Sequence, residues 1–258
     1  MSAETHSALP PIAGYLPTTM IDWPGRLAAV VFLPQCNLRC RFCHAGPLLV
    51  SPQETIPLES VLRHMASRRG WLDGVVICGG EPTLWDGLAD LCGIFHRAGL
   101  AVKLDTNGTR PDCLDELLTS GAVDAIAIDL KAPLDERYAA ACGGEVDLAA
   151  LGRSVDLLMA GRAEYEFRTT VCPTLIGEPE IHAMGSRIAG SRRWVLQRFE
   201  PTYALDAALR SVAPYDLTTM EALAEIGRQY VGRCVVRGQP ENPAASRGEA
   251  VSGRGSAP

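Results

Sequence analysis

Three thiols are the residues most able to do chemistry. Cys36, Cys40 and Cys43 lie in Gln35-Cys36-Asn37-Leu38-Arg39-Cys40-Arg41-Phe42-Cys43-His44, a C-x3-C-x2-C spacing that directly follows the apolar run Ala28–Leu33. Thiolates are soft ligands that suit iron–sulfur clusters or zinc. Three such ligands close together can grip three metal corners of a cubane. No cysteine occurs between Cys43 and Cys78, so a fourth metal would lack a protein thiolate and be open to an outside ligand. An open metal position marks a chemical site rather than a purely structural one. The alternative is zinc held by the three cysteines and His44. The adjacency of Cys43 and His44 makes joint tetrahedral ligation awkward.

Further polar groups stand at the ends of later strand-like runs. Gly79-Gly80-Glu81-Pro82 follows Val75–Cys78. Its glycines permit close backbone approach, and Glu81 could accept from an ammonium group. Equally, the tetrapeptide could be a plain turn before a helix. Asp105-Thr106-Asn107-Gly108 follows Ala101–Leu104 and offers oxygen ligands for a hydroxyl or a hard cation. It could also be an Asn-Gly turn. Asp129-Leu130-Lys131 puts an acid and a base two residues apart, on one side of an extended chain. Either an ion pair or a binding pair satisfies that placement.

The cysteine triplet, with aromatic Phe42 just before its last member, resembles the signature of radical S-adenosylmethionine (SAM) enzymes. That resemblance implies a [4Fe–4S] cluster whose non-cysteine iron is chelated by SAM. Phe42 would then pack near the adenine, and Gly79, Gly80 and Glu81 would meet the SAM amino group. The order Cys triplet, Gly-Gly-Glu-Pro, Asp-Thr-Asn-Gly, Asp-Leu-Lys is similar to glycyl-radical-enzyme activating enzymes. By that likeness Asp105, Thr106 and Asp129 become candidates for a monovalent-cation site beside SAM. Asp105 and Lys131 become SAM-contact candidates, and Arg168 a candidate for the SAM carboxylate. Gln197 and Arg198 are weaker candidates, since the matching element often carries a histidine that this chain lacks.

Two stretches narrow the likeness. Gly14-Tyr15-Leu16-Pro17 with Thr19-Met20-Ile21-Asp22-Trp23-Pro24-Gly25, and Trp194-Val195-Leu196-Gln197-Arg198-Phe199-Glu200-Pro201, resemble activating proteins of anaerobic ribonucleoside-triphosphate reductases. Asp22-Trp23-Pro24-Gly25 could be a docking lip or only a turn into the first strand. Ala45–Gly74 holds no cysteine, so auxiliary clusters are not expected. The implied reaction is reductive cleavage of SAM to methionine and a 5′-deoxyadenosyl radical, which takes hydrogen from a glycine of the partner enzyme. Flavodoxin or ferredoxin would supply the electron. The protein's task would be to position the cofactor and exclude competitors. The alternative is a small-molecule radical SAM enzyme similar to 7-carboxy-7-deazaguanine synthase. The non-enzymatic alternative is a zinc-stabilised binding module.

The elements that must position these groups alternate along the chain. Strand-like runs occur at Ala28–Leu33, Val75–Cys78, Ala101–Leu104, Ala125–Leu130, Tyr165–Val171 and Trp194–Phe199, with Cys234–Val236 a further candidate. Leu58, Val61, Leu62 and Met65 share one helical face, and Leu114, Leu117 and Leu118 do so on a shorter stretch. Asp86–Ala98, Leu148–Ala160 and Glu180–Ala189 also read as helices. Thr218 and Glu221 suggest a capping box opening a helix to about Tyr230. The alternation predicts a parallel α/β fold, and the resemblance makes it a partial (β/α)6 TIM-like barrel over residues 26–237. All the motifs fall at C-terminal strand ends, where barrel enzymes place chemistry. Residues 1–25 read as an N-terminal extension. The Pro-, Gly-, Ser- and Ala-rich stretch 238–258 reads as a disordered tail.

Bulk properties agree. The 258 residues are 47% hydrophobic and 21% charged, with a formal net charge of −6, which argues against a general nucleic-acid surface. No apolar run is long enough to span a membrane. Met1–Tyr15 lacks the basic and apolar pattern of a secretory signal. Nine cysteines, an odd number, argue against a complete disulfide framework and for a reducing, cytoplasmic setting.

Overall fold

The computed structural model describes residues 8–50, 52 and 54–238. The expected disordered tail, beyond Gly238 itself, lies outside the described residues. One sheet contains eight strands in chain order. They are β1 Gly14–Thr19, β2 Ala28–Leu33, β3 Gly74–Gly79, β4 Ala101–Thr106, β5 Ala125–Asp129, β6 Glu164–Val171, β7 Trp194–Arg198 and β8 Cys234–Arg237. β1 runs antiparallel to β2, and every later pair is parallel. The edge strands β1 and β8 do not pair with each other, which leaves an unclosed barrel.

Each parallel step returns through helix: α1 Leu58–Ala66, α2 Leu88–Arg97, α3 Pro111–Ser120, α4 Glu136–Cys142 followed by α5 Leu148–Met159, α6 Glu178–Arg187, and α7 Leu217–Arg228. Six βα units are present, as the sequence pattern predicts, and β8 ends the run as a seventh parallel strand. Among the described residues no helix is long and apolar enough to cross a membrane.

Three local expectations change. Residues 1–25 are not simply an extension, because Gly14–Thr19 adds a strand to the sheet edge. Pro17 and an irregularity between Leu16 and Thr19 hide it from pattern reading; both are tolerated at an edge. α4 is too short to show a helical period. Asp135 caps its start by accepting from the Arg137 N–H, and left-handed Gly143 ends it. α7 is opened by Asp216, whose carboxylate accepts from the Thr219 N–H at 2.8 Å, rather than by Thr218.

The strands alternate between two apolar layers. Ala29, Val31 and Leu33 of β2 face the helices in the main core, while Ala28 and Val30 join Trp23, Val76 and Ala125 in a small cluster. Trp23 is 2% exposed, and a Cβ on Gly74 would come within 2.8 Å of its ring. Trp23 is therefore core packing beside the strand starts and not a docking lip. Met20 and Ile21, just before it, are exposed.

Candidate active site

The site is built at the C-terminal strand ends. β2 ends at Leu33, and the chain turns through Gln35, whose φ of +66° is left-handed. Such a backbone costs a bulky residue on the order of 1–3 kcal/mol and persists only where its surroundings hold it. Here the neighbouring strand exit does so. The Gly80 N–H donates to the Leu33 carbonyl at 2.8 Å, and the Glu81 N–H to the Gln35 carbonyl at 2.7 Å. A Cβ on Gly79 would lie 2.3 Å from the Leu33 oxygen, and one on Gly80 1.9 Å from the Gln35 oxygen. The two glycines thus let the β3 exit press against the backbone that leads into Cys36.

The cysteine loop is held from both sides by distant segments. The N–H groups of Arg39 and Arg41 donate to the carbonyls of Cys142 and Ala141 at the end of α4, both at 3.0 Å. On the other side, the N–H groups of Leu205 and Asp206 donate to the Cys43 and Arg41 carbonyls at 2.9 Å. The Arg41 guanidinium also pairs with Asp206 at 2.8 Å.

Cys36, Cys40, Cys43 and Phe42 all line one cavity of about 330 Å³, within the size range of small-molecule sites. Gly79, Gly80, Asp105, Thr106, Asp129, Lys131 and Arg168 line it too. All but one of the candidates read from sequence therefore converge. The exception is Glu81. It is wholly buried, and its carboxylate accepts from the Thr83 N–H and hydroxyl, from the Thr106 hydroxyl at 2.7 Å and from the Asn107 N–H at 2.6 Å. Burial pushes its carboxyl up despite those donors. Glu81 ties the β3 exit to the β4 exit and is not aimed at an ammonium group in the cavity. Of the weaker pair, Gln197 lines the cavity, whereas the Arg198 guanidinium donates to the Tyr215 carbonyl. The residues alternate along β7, so they face opposite ways.

The expected cation site is filled differently. The Arg168 guanidinium lies between the two carboxylates, donating to Asp105 at 2.5 Å and to Asp129 at 2.8 Å. The register of β5 against β6 sets this, because Asp129 stands opposite Arg168. Thr106 is turned away: its hydroxyl donates to Glu81 and accepts from the Gly108 N–H. The arginine supplies the positive charge that the sequence reading gave to a monovalent cation. The network continues through Lys131 to Asp129 at 3.6 Å and Lys103 to Asp105 at 3.3 Å. Glu166 pairs with Lys103, Arg193 and Arg237. Lys103, Glu166 and Thr170 escaped the sequence reading. Their signal was the alternation Lys103/Asp105 and Glu166/Arg168/Thr170, polar on one strand face and apolar on the other.

Electrostatics follow from these contacts. Burial works against the charge of Asp129, but Arg168 and Lys131 hold its carboxyl down at about 2. Burial also opposes the Lys131 charge, yet Cys40 and Asp129 keep it protonated far above its ordinary range. The Lys131 ammonium is 5.9 Å from the Phe42 ring centroid. Burial pushes the Cys36 and Cys43 thiols up. Cys40 moves the other way, because the Cys142 thiol hydrogen-bonds it. The absence of a cysteine close in sequence does not carry into space: Cys142, on α4, is a fourth cysteine against the triplet.

The donor set fits an iron–sulfur cluster. Three unbridged thiols share one cavity wall. The Leu38 N–H points at the Cys36 sulfur at 3.4 Å, and the Asn107 amide at 3.9 Å. Donors to sulfur are how proteins stabilise bound thiolates. Among the described residues no three His, Cys, Asp or Glu side chains converge closely enough for a single metal ion. A cubane does not ask for that, since its cysteines reach separate corners, whereas mononuclear zinc does.

Comparison with known proteins follows the same line. The radical SAM superfamily model matches residues 30–180. MJ1227 of Methanocaldococcus jannaschii, to which activation of a glycyl-radical enzyme is ascribed, is 28% identical over 88% of this chain and 95% of its own length. The 7-carboxy-7-deazaguanine synthase of Bacteroides thetaiotaomicron is 37% identical, over 34% of this chain and 44% of that protein. Among solved structures, a domain of a pyruvate-formate lyase-activating enzyme from Bacteroides vulgatus superposes with a TM-score of 0.52. That superposition covers 64% of this chain and 99% of the domain at 17% identity, which speaks to the fold.

Proposed function

The chain belongs to the radical SAM superfamily, and we propose that it is a cytoplasmic activase that places a radical on a glycine of a partner enzyme, an anaerobic ribonucleoside-triphosphate reductase. The observation that carries this reading is the single cavity in which the cysteine triplet meets Lys131 and Arg168. The full-length similarity to MJ1227 supports the activase assignment, and the N-terminal stretch Gly14–Gly25 supports the choice of partner.

When bound and reduced, a [4Fe–4S] cluster with SAM supplies one-electron cleavage of SAM and the hydrogen-abstracting 5′-deoxyadenosyl radical. Cys36, Cys40 and Cys43 would hold the cluster. The chain's other residues orient and shield. Phe42 offers a ring face at the cavity wall, and its 6% exposure keeps water from that side. Lys131 is placed to meet a carboxylate, since its ammonium stays charged and lines the cavity. Arg168, clamped by two carboxylates, is held in one orientation and presents a fixed positive charge. Gly79 and Gly80 bring backbone to the cavity edge. Pre-set positive charge of this kind needs no rearrangement when an anionic group arrives. Flavodoxin or ferredoxin is the proposed electron donor.

The second reading, a small-molecule radical SAM enzyme, is favoured by the local 37% identity to 7-carboxy-7-deazaguanine synthase. One experiment separates the two. The anaerobically reconstituted protein is mixed with SAM, a reductant and the candidate reductase, and a glycyl radical is sought by EPR. A partner-dependent signal that is absent from Cys36→Ala, Cys40→Ala and Cys43→Ala supports the activase. SAM cleavage coupled to turnover of a deazaguanine precursor, with no partner signal, supports the alternative.

A further inference from the structure

We propose that Cys142 is a positioning residue for the cluster proposed above: its thiol donates a hydrogen bond to the Cys40 sulfur and sets the potential at which the cluster takes up its electron. The inference rests on the cluster reading and deepens it.

The geometry brings Cys142 to Cys40 by backbone. The residues on either side of Cys40 donate to Cys142 and its neighbour: Arg39 N–H to the Cys142 carbonyl and Arg41 N–H to the Ala141 carbonyl, both at 3.0 Å. The next residue, Gly143, is left-handed at φ +69°, and a Cβ there would fall 2.4 Å from the Arg39 oxygen. Only glycine allows α4 to end this close to the loop. Cys142 is 1% exposed and Cys40 is 6% exposed, so no water competes for the contact. The two side chains are hydrogen-bonded to each other.

A metal-bound cysteine sulfur carries no proton, so in the loaded protein Cys142 can only be the donor. Uptake of one electron from the external reductant adds negative charge to the cluster and its sulfurs. A buried donor stabilises that more negative form and raises the reduction potential. The proton stays on Cys142 throughout, and no bond to it is broken. None of the other scattered cysteines flanks the triplet in this way. Cys92, Cys113 and Cys234 pack in or against the helix-facing core.

The test compares wild type with Cys142→Ala and Cys142→Ser, each reconstituted anaerobically. Iron and sulfide are measured first. EPR-monitored redox titration with dithionite then gives the midpoint potential. In Cys142→Ala, loss of the donor lowers the reduced-to-oxidised ratio at fixed potential by about three- to tenfold, the tenfold limit being about 59 mV for one electron. Cys142→Ser, which keeps a donor, stays near wild type. If Cys142→Ala loads poorly, Cys142→Val fills the volume without a donor and serves the same comparison. A full cluster with an unchanged midpoint in Cys142→Ala or Cys142→Val overturns the proposal. Equal shifts in the serine and alanine proteins also overturn it, because packing and not the donor would then be responsible. Failure of the wild type itself to hold iron and sulfide would instead defeat the cluster reading.

Discussion

Gly80→Ala tests how the cysteine loop is held. A Cβ at position 80 would lie 1.9 Å from the Gln35 carbonyl oxygen, 2.5 Å from its carbon and 3.1 Å from the Leu48 oxygen. All three are backbone atoms, so no side chain can swing aside. Reaching even a 3.0 Å contact requires a shift of about 1.1 Å. That shift disrupts the Glu81 N–H to Gln35 and Gly80 N–H to Leu33 hydrogen bonds, each worth roughly 0.5–1.5 kcal/mol net. Overpacking adds about 1–3 kcal/mol. The expected loss is about 2–5 kcal/mol, read from the urea midpoint of the cluster-free chain at unchanged m-value. The residue displaced is next to Cys36, so iron retained after reconstitution should fall as well. Gly144→Ala is the control: nothing lies within 4 Å of a Cβ there, and the change should stay within about 1 kcal/mol. A Gly80→Ala protein with wild-type stability and full iron would refute the claim that the two strand exits are locked together.

Other perturbations have distinct signatures. Asp129 has its carboxyl held down at about 2 against an ordinary 3.8. Its contribution is therefore complete above that ordinary value and is lost as pH falls toward 2. About 2 kcal/mol of acid sensitivity over this window, reduced by salt, should be missing from Asp129→Asn in urea titrations at both ends. Wild-type SAM cleavage should not change when potassium replaces sodium, because Arg168 already bridges Asp105 and Asp129; a strong cation requirement in steady-state assays would contradict the geometry. Lys131→Ala should weaken SAM binding roughly tenfold or more by isothermal titration, since a charge-assisted hydrogen bond is worth about 1.5–3 kcal/mol, and equal affinity would reject its role. Trp23→Ala should cost about 3–5 kcal/mol of stability as a cavity opens in the core, while the folded fraction still takes up iron; unchanged thermal stability would show that the ring is not packed as described.

Much of this protein was determined locally. The thiol spacing, the Gly-Gly pair and the alternation of short apolar runs with helical faces are properties of neighbouring residues. They read directly as a three-cysteine site at the exit of the first parallel strand in an α/β barrel. What each polar residue does there was decided only by pairing between strands. Asp129 meets Arg168 because β5 and β6 align in that register, so an arginine stands where three oxygen ligands suggested a cation. Glu81 turns inward because the β4 exit, two strands from the cysteine loop, presents a hydroxyl and an N–H to it. Trp23 is buried because the lumen beside Gly74 has room for a ring. Cys142 reaches Cys40 through a short helix too brief to show a period, stopped by a left-handed glycine. Local chemistry is written in adjacent residues, whereas contacts between segments far apart in the chain depend on register and packing that no short window contains.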